Sequence, residues 1–327
     1  LSQLLELTLT GKEGGKSLGR VPMAGIPHHA AERYCGELIK KGLSVALCDQ
    51  LESSPSKGGA LLRRGITRII TPGTIIEEGM LQARRNNWLG AVLIEISEKN
   101  KIFEWGLASA DVSTGEFVVR EGEGKNNLKQ ELLKLDASEV IWGSMESCAK
   151  KEWCPENVEL TEVSKTPFNF LEAETSIKKY FKLTTVNGMG LNQLPLALRS
   201  AGGLIDYLNQ TKPNNNEKEL LLDTSQLSLE FPKICSTQEI LLIDAQTRRN
   251  LEITSTQKDN KFQGSLLWAL DRTLTSMGGR CLRRWIEEPL IEIEEILARQ
   301  EIVSMLVSNK TLRNNLRRLL RAMGDLE

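Results

Sequence analysis

The chain has 327 residues, with 42 Lys and Arg against 43 Asp and Glu and a formal net charge of −1. That balance excludes a globally basic nucleic-acid coat, so any basic surface is local; the length allows two or three domains of roughly 100–200 residues. No apolar run approaches the roughly 20 residues that a bilayer-spanning helix needs. The six cysteines and the adjacent His28 and His29 offer no C-x-x-C pair and no four-ligand zinc spacing.

Leu1–Thr10 carries no basic n-region of a secretory signal, so a cytoplasmic chain with reduced, buried thiols is expected. The first helical signal is Ala30–Lys41, with Tyr34, Leu38 and Ile39 on one face and Gly42 as the stop. It is entered through Val21–Tyr34, VPMAGIPHHAAERY, where two prolines and a glycine crowd the approach. Leu43–Leu47 reads as a short strand, Ser53–Gly59 as a loop, and Gly65–Thr71 as a strand stopped by Pro72-Gly73. Leu89–Ile96 predicts a buried strand, and Ile102–Val112 and Glu116–Arg120 flank a hairpin turn at Ser113-Thr114-Gly115. A helix over Asn127–Leu135 and a fourth strand at Glu139–Trp142 complete a mixed α/β pattern. Helices are predicted at Glu172–Lys182 and Leu194–Asn209, and Thr211–Glu217, TKPNNNE, reads as a boundary. Helical spacing then recurs at Ile240–Asn250, Ser265–Leu270, Met277–Ile286, Glu292–Val307 and Leu312–Met323, with Pro289 ending one helix. The expected domains are 1–87 (mixed α/β), 88–212 (α/β) and 213–327 (all-α). LSQLLELTLT starts inside an apolar pattern and LLRAMGDLE stops inside a helical one, so a fragment of a longer protein is expected.

Six features invite chemistry. Gly11–Ser17, GKEGGKS, misses the G-x-x-x-x-G-K-[ST] phosphate loop by one residue, since Thr10 stands where the first glycine is needed and no helix start follows. Asp111 ends a strand near Glu95, Glu98, Glu104 and Glu116, which could gather carboxylates for a metal-dependent nuclease; the favoured reading is that Asp111 and Ser113 organise the hairpin turn. His28 and His29 are expected to pack and cap at the helix start, because adjacent residues there diverge. Ser53–Asn87 holds Lys57, Arg63, Arg64, Arg68, Arg84 and Arg85 against only Glu77 and Glu78. That surplus suits either phosphate or counter-charges supplied from elsewhere in the fold. Asp244 stands four residues before Arg248, which permits a contact along one helix, and the Arg248-Arg249 pair is expected to sit in an internal polar network. Leu312–Met323 carries Arg313, Arg317, Arg318 and Arg321 without an acid.

Several of these segments, in order, resemble the MutS family: PMAGIP at Pro22–Pro27 with His29, SVALCDQ at Ser44–Gln50, RIITPGT at Arg68–Thr74, DVSTG at Asp111–Gly115, DAQTRRNLEI at Asp244–Ile253, the LDRTLTSMGGRCLRRWIEEPL stretch within Ser265–Leu290, and GDLE at Gly324–Glu327. The resemblance implies a mismatch-recognition domain whose first part is absent, a ribonuclease-H-like connector, and a truncated helical core. It implies binding to duplex DNA with a mispair or small loop, coupled in the longer protein to ATP and Mg chemistry in an ATPase domain outside this chain. A MutL-type repair partner docking on the connector, a homodimer of the full protein and a cytoplasmic, nucleoid-associated setting are implied as well. The family's mismatch-reading G-D-F-Y-E-x-F strand does not occur in this chain. By position, Met23 would lie near the mispair and Arg64 or Arg63, Arg68 and Lys57 near phosphate, with no catalytic, cofactor or metal residue of its own. The alternatives from other classes are a nuclease using Asp111 and a docking module for a repair partner.

Overall fold

The computed structural model describes residues 1–13, 19–50, 62, 64–96, 102–143, 153–156, 158, 160–211, 228–235 and 240–326. The first strands, β1 (Thr10–Glu13) and β2 (Arg20–Met23), form an antiparallel hairpin in which Thr10 faces Met23. The phosphate-loop-like Gly14–Ser17 falls between them, outside the described residues. A 3₁₀ turn, His28–Ala30, leads into α1 (Ala31–Ile39), which buries Cys35, Leu38 and Ile39. Neither histidine caps the helix: both are exposed, because the turn's N–H groups are met by backbone carbonyls instead. β3 (Val45–Gln50) and β4 (Arg64–Ile70) form a second antiparallel pair. Ile39, Ile70 and Ile75 make a small core beneath it.

The chain then builds a larger sheet. β5 (Trp88–Ile96), β6 (Phe103–Asp111) and β7 (Phe117–Glu123) run as an antiparallel meander. α2 (Lys125–Leu135) crosses over to β8 (Glu139–Gly143), which lies parallel to β5, and β9 (Leu160–Val163) lies parallel to β8. α3 (Phe170–Phe181) and α4 (Pro195–Thr211) cover one face, and β10 (Lys233–Ile234) joins β7. The spatial order is β10-β7-β6-β5-β8-β9. Residues alternate along β5: Leu89, Ala91 and Leu93 enter the core beneath α3 and α4, while Val92 and Ile94 meet Leu128 and Leu132 of α2. A strand buried on both faces reads as a continuous apolar run, which is why Leu89–Ile96 shows no alternation in sequence.

Glu139 fastens the first unit to this sheet. Its buried carboxylate accepts the Gly73 N–H at 3.0 Å, the Thr161 hydroxyl at 3.1 Å and the Tyr207 hydroxyl at 2.6 Å. Burial, followed by the Glu139 charge, pushes the Tyr207 hydroxyl up, so it stays a donor. The turn that stops β4 is thereby held by side chains more than sixty residues away in sequence.

The last unit is helical: α5 (Ala245–Asn250), α6 (Leu266–Leu270), α7 (Ser276–Glu287), α8 (Ile293–Ser308) and α9 (Lys310–Leu320). The helix expected from Ile240 starts only at Ala245. Asp244 takes the N-cap position, accepting the Thr247 N–H at 2.8 Å, and Ile240 pairs instead with Leu290. The carboxylate is therefore committed to the cap rather than to Arg248 four residues on. Among the described cysteines, Cys35 and Cys154 are buried, Cys235 and Cys281 half-buried and Cys48 exposed, so the expectation of buried thiols holds for part of them. Among the described residues no helix is long and apolar enough to cross a membrane.

Candidate nucleic-acid interface

The first unit presents its hairpin to solvent: every residue of β2 is exposed, and Met23 keeps half of its surface uncovered. The Thr10 hydroxyl donates to the Met23 carbonyl at 2.8 Å, which fixes the strand end that carries this side chain. Arg64 is exposed at the start of β4, opposite Gln50. Met23 and Arg64 lie in two separate two-stranded sheets. Lys57 and Arg63 lie outside the described residues.

Arg68 has a different setting. It is half-buried and ion-paired with Glu77, so its charge is met within the unit. Arg84 and Arg85 are likewise engaged, Arg84 with Asp271 at 2.8 Å and Arg85 with Asp136. Three of the six basic residues counted in Ser53–Asn87 thus meet carboxylates, two of them from distant parts of the chain. Sequence counting registered the charges, but the partners are 187 and 51 residues away, a distance no local pattern reports.

Asp111 is fully buried at the end of β6, and both of its oxygens are occupied. One accepts the Ser113 N–H at 2.9 Å and the Ser113 hydroxyl at 2.6 Å; the other accepts Asn86 Nδ2 and the Asn87 N–H, each at 3.0 Å. Four donors on one carboxylate organise the turn and bind the linker before β5, leaving little lone-pair capacity for a cation. Among the described residues no group of three or more His, Cys, Asp or Glu is placed to hold a metal. Replacing Asp111 with alanine leaves the part-buried Asn87 N–H and Ser113 N–H without this partner. The expected loss is about 2 kcal/mol of stability, read as a lower urea midpoint.

Residues that sequence reasoning passed over hold the helical unit against the rest. Arg280 of α7 is 5% exposed, pairs with Asp325 at 2.7 Å and donates to the Ala83 carbonyl at 2.8 Å. Arg284 reaches Glu116 at 2.7 Å, and Glu288 meets Lys134 at 2.7 Å and Arg120 at 3.6 Å. On α9, Arg313 and Arg317 donate to the backbone carbonyls of Leu306 and Arg272, so half of that acid-free basic set serves internal bonds. In sequence these read as solvated charges on amphipathic helices, and no signal there separates them from true surface residues. The Phe-x-Glu triplet Phe170-Leu171-Glu172 opens α3, a helix that packs on the large sheet, rather than lying on a strand of the first unit.

An exposed hairpin unit, a covered mixed sheet and a helical unit are joined by arginine–carboxylate pairs across their seams, which makes this a mixed α/β and helical protein built in successive units. Family models match in order along the chain: MutS domain I over residues 1–79, MutS domain II over 87–220 and MutS domain III over 246–327. The chain belongs to the MutS family. It is 60% identical over 327 residues to a DNA mismatch repair protein MutS of Prochlorococcus marinus, covering 100% of this chain and 36% of that protein. It is 58% identical over 330 residues to the protein of the same name from Synechococcus sp. (strain WH7803), covering 100% of this chain and 35% of that one. The chain therefore spans about a third of the length of these relatives.

Proposed function

We propose that this chain is the mismatch-recognition, connector and core portion of a DNA mismatch repair protein that binds mispaired or looped duplex DNA. The observation that carries the reading is the ordered match to MutS domains I, II and III. The proposed division is 1–87, 88–212 and 213–327. In the whole protein, binding is coupled to ATP hydrolysis with Mg in a separate ATPase domain. A homodimer, a MutL-type partner on the connector and a cytoplasmic, nucleoid-associated setting belong to the same proposal.

The connector is read as ribonuclease-H-like. Support comes from its strand order: counted from β5, the five strands lie third-second-first-fourth-fifth, the second antiparallel to both neighbours and the last two parallel to the first. The nuclease alternative loses its best residue because Asp111 is saturated by the turn and linker. DNA contact is assigned to the exposed side of the first unit. Met23 is assigned to the mispair and Arg64 to phosphate, with Arg63 and Lys57 assigned to phosphate from sequence position alone; Arg68 acts by fixing β4 through Glu77.

The test is titration of matched and mismatched duplexes at two salt concentrations. Because the G-D-F-Y-E strand does not occur in this sequence, the expected result is weak binding that falls steeply with salt and shows little mismatch preference. Arg64→Gln should weaken both duplexes alike and reduce the salt slope by about one. Strong mismatch selectivity, or divalent-metal-dependent cleavage that disappears in Asp111→Asn, would sink this reading.

A further inference from the structure

Between the end of α2, α5, the loop after it and α7 lies a cleft of about 690 Å³. Its charged lining is Arg85, Arg248, Arg249 and Arg283 against Asp136 and Glu287. Arg85 and Asp136 are paired with each other, which leaves three guanidinium groups facing one carboxylate. Burial pushes the Glu287 carboxyl up, against the pull of Arg283 and Arg248.

The three arginines are under-used. Arg283 meets Glu287 at 3.3 Å, and its buried Nε has no hydrogen-bond partner among the described residues. Among the described residues, Arg248 makes one hydrogen bond, to the Lys134 carbonyl at 3.5 Å, and its Nε has no hydrogen-bond partner. The Arg249 side chain is exposed and has no ion pair or hydrogen bond among the described residues. Each guanidinium offers five N–H donors, so most of this capacity is unspent. The Thr254 and Ser255 hydroxyls line the same cleft. The buried, unpartnered Nε groups of Arg248 and Arg283 are costly unless an acceptor answers them, and Arg249 adds an exposed charge at the rim. Planar forks approaching from two helices, with hydroxyls beside them, suit an oxyanion with several acceptor oxygens.

We propose that this cleft binds a small phosphate-bearing anion, held by Arg248, Arg249 and Arg283 across the junction between α2 and the helical unit. The anion would balance the surplus charge and tie the connector to the core. The site is distinct from the DNA-facing side of the first unit, so Met23 and Arg64 play no part in it.

Isothermal titration of the 327-residue chain with inorganic phosphate at fixed ionic strength, with chloride as reference, tests this. Saturable binding is expected, together with a rise in melting midpoint that grows with phosphate concentration. Arg249→Gln, at an exposed position outside the core, should weaken binding about tenfold, the equivalent of one charge-assisted contact. Arg283→Gln should weaken it comparably; if that variant fails to fold, Arg249→Gln carries the test alone. Competition by ATP that exceeds competition by phosphate marks a nucleotide as the source, and equal competition marks free phosphate; both support the site. Phosphate heats no larger than those of chloride, or unchanged affinity in a folded Arg249→Gln chain, would overturn it.

Discussion

Gly106→Ala is expected to destabilise the connector by about 3 kcal/mol, the upper range for overpacking a well-filled contact. Gly106 lies on β6 directly beneath α4. A Cβ there would collide with the Leu196 carbonyl and stand 2.6 Å from the Ala197 nitrogen. Those are backbone atoms of a helix end, so no side-chain rotation relieves the clash. The Glu121 carboxylate holds this same helix end, accepting the Leu196 and Ala197 N–H groups at 2.8 and 2.9 Å. The Ser200 hydroxyl donates to the Gly106 carbonyl at 2.9 Å, so sliding α4 away would break a buried bond as well. The other side of α4 is equally tight, where a Cβ on Gly203 would come within 2.5 Å of the Phe168 ring. Gly188 is the matched control, since nothing among the described residues lies within 4 Å of its missing Cβ; Gly188→Ala should stay within about 0.5 kcal/mol of the parent. Urea unfolding followed by tryptophan fluorescence reads both, and a Gly106→Ala chain as stable as the parent would refute the close packing of α4 on β6.

Asp325→Ala is expected to cost about 3 kcal/mol in the helical unit, because it takes the paired carboxylate from a buried guanidinium. Arg280 gives two nitrogens to the two Asp325 oxygens, at 2.9 and 2.7 Å, and also donates to the Ala83 carbonyl. Losing the carboxylate removes a two-point charged partner from a guanidinium that is 5% exposed. The double variant Arg280→Met with Asp325→Leu should recover most of the loss, since an apolar pair of similar volume removes the uncompensated charge. Because Ala83 belongs to the segment joining the first unit to the sheet, protease cleavage within residues 77–87 should accelerate in Asp325→Ala. An Asp325→Ala chain with unchanged melting and cleavage would show that this junction does not depend on the pair.

The elements most legible in sequence were those with long apolar signals. The expectations for Leu89–Ile96 and the helices over α2, α3, α4 and α7 lie within a few residues of the observed limits, because a buried face dictates residue type; α8, which buries no residue, is legible from its helical spacing alone. β9 and β10 were not legible. Leu160–Val163 and Lys233–Ile234 are too short to show a period, and each is a strand only because a neighbour offers its edge. The hairpin of β1 and β2 escaped for a related reason: its exposed residues carry no alternation to read. For the candidate interface, sequence position selected Met23 and Arg64, which are exposed, but could not separate Arg68, whose charge is met by Glu77.

By itself the sequence determined the family, through ordered segments such as DAQTRRNLEI, and the sheet and helix pattern, through local periodicity. Both are properties of neighbouring residues, and a linear string preserves them. The tertiary structure alone decided which charges are available to a ligand. Arg68, Arg84, Arg85 and Arg280 look alike in sequence, yet each is committed to a carboxylate. Arg64 and Arg249 stand exposed. The free energy of an ionised side chain depends on its solvent and on partners that folding brings from far along the chain.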